Sequence, residues 1–146
     1  MTRHLPTVAR IFLGLIFFVF GLNGFLNFIP TPPPPEPIVA FMKGLMSTGY
    51  FFPLLKATEV TCGALLLSNR FVPLALIVLS PIIVQIFAFH VLLAHNGYPM
   101  TVLLVVAQAY LGWAYRNHFR SVLVVKATPE RSEKPASHRH EVLNPT

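Results

Sequence analysis

The stretch that most constrains this chain is residues 50–69, YFFPLLKATEVTCGALLLSN. It is apolar enough for a membrane span, yet it carries Lys56 and Glu59 three positions apart, with Glu59 close to its middle. An ionisable group at the centre of a bilayer costs roughly 2.5–3.5 kcal/mol on insertion scales, so it needs a partner or a cavity. A fold for this chain must therefore set long apolar surfaces against lipid and also enclose two charges at depth.

Three further apolar runs complete a set of four spans, at about 8–29, 50–68, 71–93 and 99–117. Composition agrees: of 146 residues, 11% are charged, where a soluble domain has about 25%. The first run, IFLGLIFFVFGLNGFLNFI, follows Arg3, His4 and Arg10 in the manner of a signal peptide. It is too long for an h-region of about 7–15 residues and no A-x-A-like site follows it, so we read an uncleaved span. Gly14, Gly21 and Gly24 place small residues near one stripe of that span, where a neighbouring backbone can approach.

Residues 30–37, PTPPPPEP, exclude a helix and make a stiff connector. Beyond it Ile38, Phe41, Met42 and Leu45 recur at helical spacing with Lys43 opposite, which predicts a short amphipathic helix over 38–48 in the outer interface. The brief link at Asn69-Arg70 makes the second and third spans antiparallel neighbours. Pro81 is expected to kink the third span, and His95-Asn96-Gly97-Tyr98-Pro99 reads as a turn. The fold class is all-α: a transmembrane four-helix bundle with a short interfacial helix between the first two spans. The membrane domain covers 1–125, and the polar segment 126–146 reads as a disordered cytoplasmic tail.

The formal net charge of +6 does not signal nucleic acid, because the basic residues sit at the ends of apolar runs and in the tail. Arg3, Arg10, Arg70, Arg116, Arg120, Lys126, Arg131, Lys134 and Arg139 fall on one side of a four-span layout, and Lys43 on the other. The positive-inside rule then puts both termini in the cytoplasm, with the lipid bilayer as the first partner.

The chemistry is narrowed by what the chain lacks. Cys62 is the single cysteine, so an internal disulfide, a C-x-x-C redox motif and a Cys-rich metal site are excluded within one chain. There is no Asp, no H-x-x-x-H and no glycine-rich phosphate loop. His138 and His140 in the tail are weak grounds for a metal. No residue is assigned to catalysis or to a metal.

Polar residues inside the spans remain. At about 1.5 Å per residue, Glu59 and Gln108 lie near the midplane and Lys56 about 4–5 Å outside it. Gln85 lies a little outside the midplane, and Asn23 and His90 belong to the outer half. These six residues are expected to converge on a polar pocket open toward the outer face. Two chemistries suit such a pocket. Glu59 can accept a proton, and Glu59, Gln85, Gln108 and His90 can hydrogen-bond the oxygens of a quinone or another small carbonyl compound. The alternative is structural: a Lys56–Glu59 pair at i,i+3 that satisfies itself and pins the bundle.

The first-span pattern ARIFLGLIFFVFGLNGF and the second-span pattern KATEVTCGALLLSNR resemble the DoxX-like family of small bacterial four-span membrane proteins. The likeness rests on an Arg and a Gly in the first span, a Glu followed four residues later by Gly in the second, and His90 near the end of the third. It covers about 8–120. Asn23 stands where many relatives carry Lys, and Lys56 is additional to the pattern. The resemblance implies a place in the bacterial inner membrane and an association with thiosulfate:quinone oxidoreductases or with complexes that handle oxidative and thiol stress. It points to Glu59, Gly63, Asn23 and His90. The expected function is a redox-linked membrane subunit with a quinone-type pocket and a protein partner, more a non-catalytic subunit of an oxidoreductase complex than an enzyme alone. A small proton-coupled permease and a structural or assembly protein are the alternatives.

Overall fold

The computed structural model describes residues 4–30 and 33–119, so the expected tail at 126–146 lies outside the described residues. Six α-helices follow one another: α1 (Leu5–Leu26), α2 (Glu36–Ser47), α3 (Phe51–Leu67), α4 (Val72–Phe89), α5 (Tyr98–Ala114) and α6 (Arg116–Phe119). The end of α4 continues as a π-helical segment, His90–Ala94. No strand occurs among the described residues.

Proline and left-handed residues punctuate these helices. α1, α2, α4 and α5 each carry a proline in the first turn, where its missing N–H is no loss. α1 stops at Leu26 and does not run on to 29, because Asn27 turns left-handed (φ 48°) and its N–H bonds the Asn23 carbonyl. Asparagine tolerates that conformation and so replaces glycine at the helix end. His95 (φ 50°) and Gly97 (φ 70°) make the turn into α5. Pro81 is carried inside α4, which is unbroken from Val72 to Phe89. The departure from α-helical winding falls later, at His90.

α1, with 22 residues, and the continuous segment Val72–Ala94, with 23, are long and apolar enough to cross a membrane. α2 and α3 satisfy that test together but meet at a bend of 92°, and α5 is a shorter apolar helix. The assembly is an all-α membrane bundle. α1, α3, α4 and α5 close a ring in that order, with α1 packed most extensively on α3. Leu13, Leu66, Leu79 and Leu111 fill its centre with no exposed surface. α2 lies across the end of the ring, touching α3 and the π-helical segment.

Candidate functional site

The site begins with the glycines of α1 and α3. A side chain at Gly63 would place its Cβ 2.5 Å from the Phe18 backbone nitrogen and 2.9 Å from the Gly14 carbonyl oxygen. The two backbones therefore touch there, as small residues permit between membrane helices. Toward the other end of α1, Gly21 lies against Val60 and Glu59, and Gly24 lies against the stem of Lys56. A Cβ at Gly24 would meet the Lys56 Cδ at 2.5 Å. The missing side chain is what lets the lysine lie along α1 and reach back toward Glu59.

Lys56 Nζ donates to Glu59 Oε2 at 2.7 Å. Glu59 is 4% exposed, while 18% of the Lys56 side chain is accessible. The ammonium also lies 5.7 Å from the centroid of the Phe52 ring. An ammonium carries three donors. Among the described residues, Glu59 is its only hydrogen-bond partner, which leaves two donors uncommitted.

The other four expected residues lie elsewhere. Gln108 Nε2 donates to the Leu76 carbonyl at 2.7 Å and to Ser80 Oγ at 3.1 Å, tying α5 to α4. Its Oε1 is buried and has no partner among the described residues. Asn23 spends its Oδ1 on the Ile29 N–H at 2.7 Å, holding the exit from α1. His90 Nδ1 lies 2.8 Å from the Ile86 carbonyl. A carbonyl only accepts, so Nδ1 carries the proton in this contact. The His90 ring meets Phe89 edge-on, and Phe89 packs on Phe41 of α2. Gln85 is exposed on the outer surface of α4. The helices turn these residues in different directions: Gln108 toward α4, Asn23 toward the exit of α1, and Gln85 outward. Lys56 and Glu59 alone are joined to each other.

Sequence reasoning treated Arg10 as a topology charge and missed its contact. Its guanidinium donates to the Leu66 carbonyl and lies 3.4 Å from that of Leu67, and the residue is 8% exposed. Leu67 ends α3, so a cation sits on the negative end of that helix. The available signal was position: Arg10 lies one turn inside α1, not before it.

A laterally open cleft of about 320 Å³ lies between α3 and α4, lined among others by Thr58, Thr61, Cys62, Leu65, Leu74 and Val78. Thr58 and Thr61 turn their hydroxyls onto the Leu54 and Ala57 carbonyls of their own helix, so the lining is apolar in effect. Glu59 faces α1 and is not part of the cleft. No group of three His, Cys, Asp or Glu side chains placed to hold a metal occurs among the described residues.

The family profile described as DoxX matches residues 5–96. That range holds α1 to α4 and the π-helical segment, and with them Arg10, the Lys56–Glu59 pair and His90, but stops short of Gln108. No curated protein and no solved structure matches the chain.

Proposed function

The chain belongs to the DoxX family of membrane proteins, and on that premise we propose that it is a non-catalytic subunit of a redox-linked membrane complex that holds a quinone-type carbonyl at the Lys56–Glu59 pair. The observation that carries this reading is the Lys56 ammonium: two of its donors are uncommitted, one aromatic face lies beside it, and a buried carboxylate holds it in place. A carbonyl oxygen takes a hydrogen bond from such an ammonium, and the Phe52 ring offers a flat apolar wall. The fit is at one end of the ligand, since Gln85 and Gln108 lie away from the pair. A quinone bound there would supply two-electron carrier chemistry, with the electrons coming from a protein partner. This chain's own part is to anchor the ring through Lys56 and to hold a proton-accepting carboxylate, Glu59, next to it.

The proposal includes four spans, with α3 and α5 crossing as well as α1 and α4, both termini cytoplasmic, and the bacterial inner membrane as the site. Support for that layout comes from the one-sided distribution of Lys and Arg.

The test is organic extraction and mass analysis of the full chain, gently purified from quinone-containing membranes. A quinone retained by the wild type and lost from Lys56→Met supports the reading. Absence of quinone from the wild type, or equal retention by the variant, overturns it. A second reading is favoured by the 2.7 Å contact within the pair: a bundle pin in an assembly protein, for which Glu59→Gln leaves complex formation unchanged. A proton-coupled permease would use the same Glu59, and proton flux into vesicles separates it from both.

A further inference from the structure

We propose that the outer face of α3 and α4, from the lateral cleft up to Gln85, is the contact surface for a second copy of this chain. The argument starts at Gln85. The continuous helical segment Val72–Ala94 is long and apolar enough to span a membrane. Gln85 lies two residues beyond its midpoint, or about 3 Å along the axis. At that depth a glutamine is too short to reach either interface, which lies roughly 15 Å from the midplane. Yet Gln85 is exposed, and no residue of its own chain hydrogen-bonds it among the described residues. An amide turned toward hydrocarbon loses its hydrogen bonds with nothing in return. Whatever covers it must offer both an acceptor for its NH₂ and a donor for its carbonyl.

The same amide supplies both. Two Gln85 side chains near a two-fold axis form a reciprocal pair, since such a contact brings residues on the axis against their own copies and pairs the rest of the patch reciprocally. The surface around Gln85 suits close approach. Leu74, Val78, Pro81 and Gln85 follow one stripe of α4, and the first two line the cleft. On α3, Ala57, Thr61 and Ala64 are exposed at spacings of four and three, a small-residue ridge next to that cleft. Small ridges and interhelical amide pairs are the two devices by which membrane helices associate. The cleft, about 320 Å³ in volume, is a recess in which apolar side chains of the second copy can seat. This surface lies away from the Lys56–Glu59 pair, which faces α1, so the inference does not rest on quinone binding.

The experiment uses the full chain in membranes. In a Cys62→Ser background, Gln85→Cys is oxidised with copper phenanthroline beside Val106→Cys, an exposed position on α5. The expected result is a product of twice the chain mass from Gln85→Cys and little from Val106→Cys. Copy counting in vesicles then reads the native glutamine directly: Gln85→Leu, which is compatible with lipid, is expected to raise the dimer dissociation constant by about 3- to 30-fold. Equal cross-linking at both positions overturns the proposal. So does a wild-type chain that stays single at every density, or a Gln85→Cys product formed only with a different protein.

Discussion

The Lys56 ammonium lies 2.7 Å from the Glu59 carboxylate across one helical turn, over a glycine of the neighbouring helix that leaves room for the lysine stem. Removing one partner of a buried pair costs about 3–5 kcal/mol, because the other charge is left uncompensated. The two partners are not equally buried. Lys56→Met strands a carboxylate that is 4% exposed, and we expect the full penalty. Glu59→Gln leaves an ammonium with 18% of its side chain accessible, and we expect about 1–3 kcal/mol. The double variant should recover to within about 1–2 kcal/mol of the wild type, as paired replacement of buried ions often does. Reversible unfolding in bilayer discs checks the order. A Lys56→Met variant no less stable than Glu59→Gln would place the pair in water.

Gly63 faces backbone, whereas Gly24 faces a flexible side chain. Gly63→Ala should therefore cost about 1–3 kcal/mol as an overpacked contact, since neither α1 nor α3 can yield locally. Gly24→Ala should cost less, because the Lys56 stem moves aside, and its effect should vanish in a Lys56→Ala background. Gly44 has open space where a Cβ would stand. Gly44→Ala should be neutral or stabilising by about 0.5–1 kcal/mol through helix propensity. The same unfolding measurement compares all three.

Arg10 holds the last carbonyls of α3 from 56 positions away in the chain. Hydrogen bonds to a charged group contribute about 1.5–3 kcal/mol, and Arg10→Ala should lose that amount. Arg10→Lys should recover only part, because both carbonyls are met by one nitrogen of a weakly hydrated guanidinium, whereas an ammonium is strongly hydrated and costs more to bury. Amide exchange provides a local check. The turn at 68–71 should exchange faster in Arg10→Ala, with α5 unchanged; uniform acceleration everywhere would contradict a local capping role.

Gln108 gives α4 a hydrogen bond but buries an unpartnered Oε1. Gln108→Leu loses the bonds to the Leu76 carbonyl and Ser80 Oγ, together about 1–3 kcal/mol, and removes a desolvated acceptor costing about 1–3 kcal/mol. The two should offset, leaving stability within about 1 kcal/mol of the wild type. A loss above about 2 kcal/mol would show that a donor outside the described residues satisfies Oε1 in the membrane.

The legible part of the site was the local part. Lys56 and Glu59 are three residues apart, and residues at i,i+3 meet on any α-helix, so the pairing needed no knowledge of the fold. The glycine stripe of α1 was likewise visible as a surface fit for close approach. What it approaches was not: Gly63, Glu59 and Lys56 are supplied by another helix. Pro81 differs again: it frees a carbonyl one turn earlier, and α4 continues through it from Val72 to Phe89.

From the sequence alone came the membrane class and the helical order. Both follow from quantities measured along the chain: hydropathy, and punctuation by proline and asparagine. Azimuth was decided only in the folded bundle. Gln85, Gln108 and Glu59 are all polar residues of apolar helices, yet one faces outward, one faces α4 and one faces α1. A helix buries the face that its neighbours accept. That choice was settled here by backbone contacts at glycines and by Arg10 reaching Leu66, interactions between residues too far apart in the chain for any local pattern to encode.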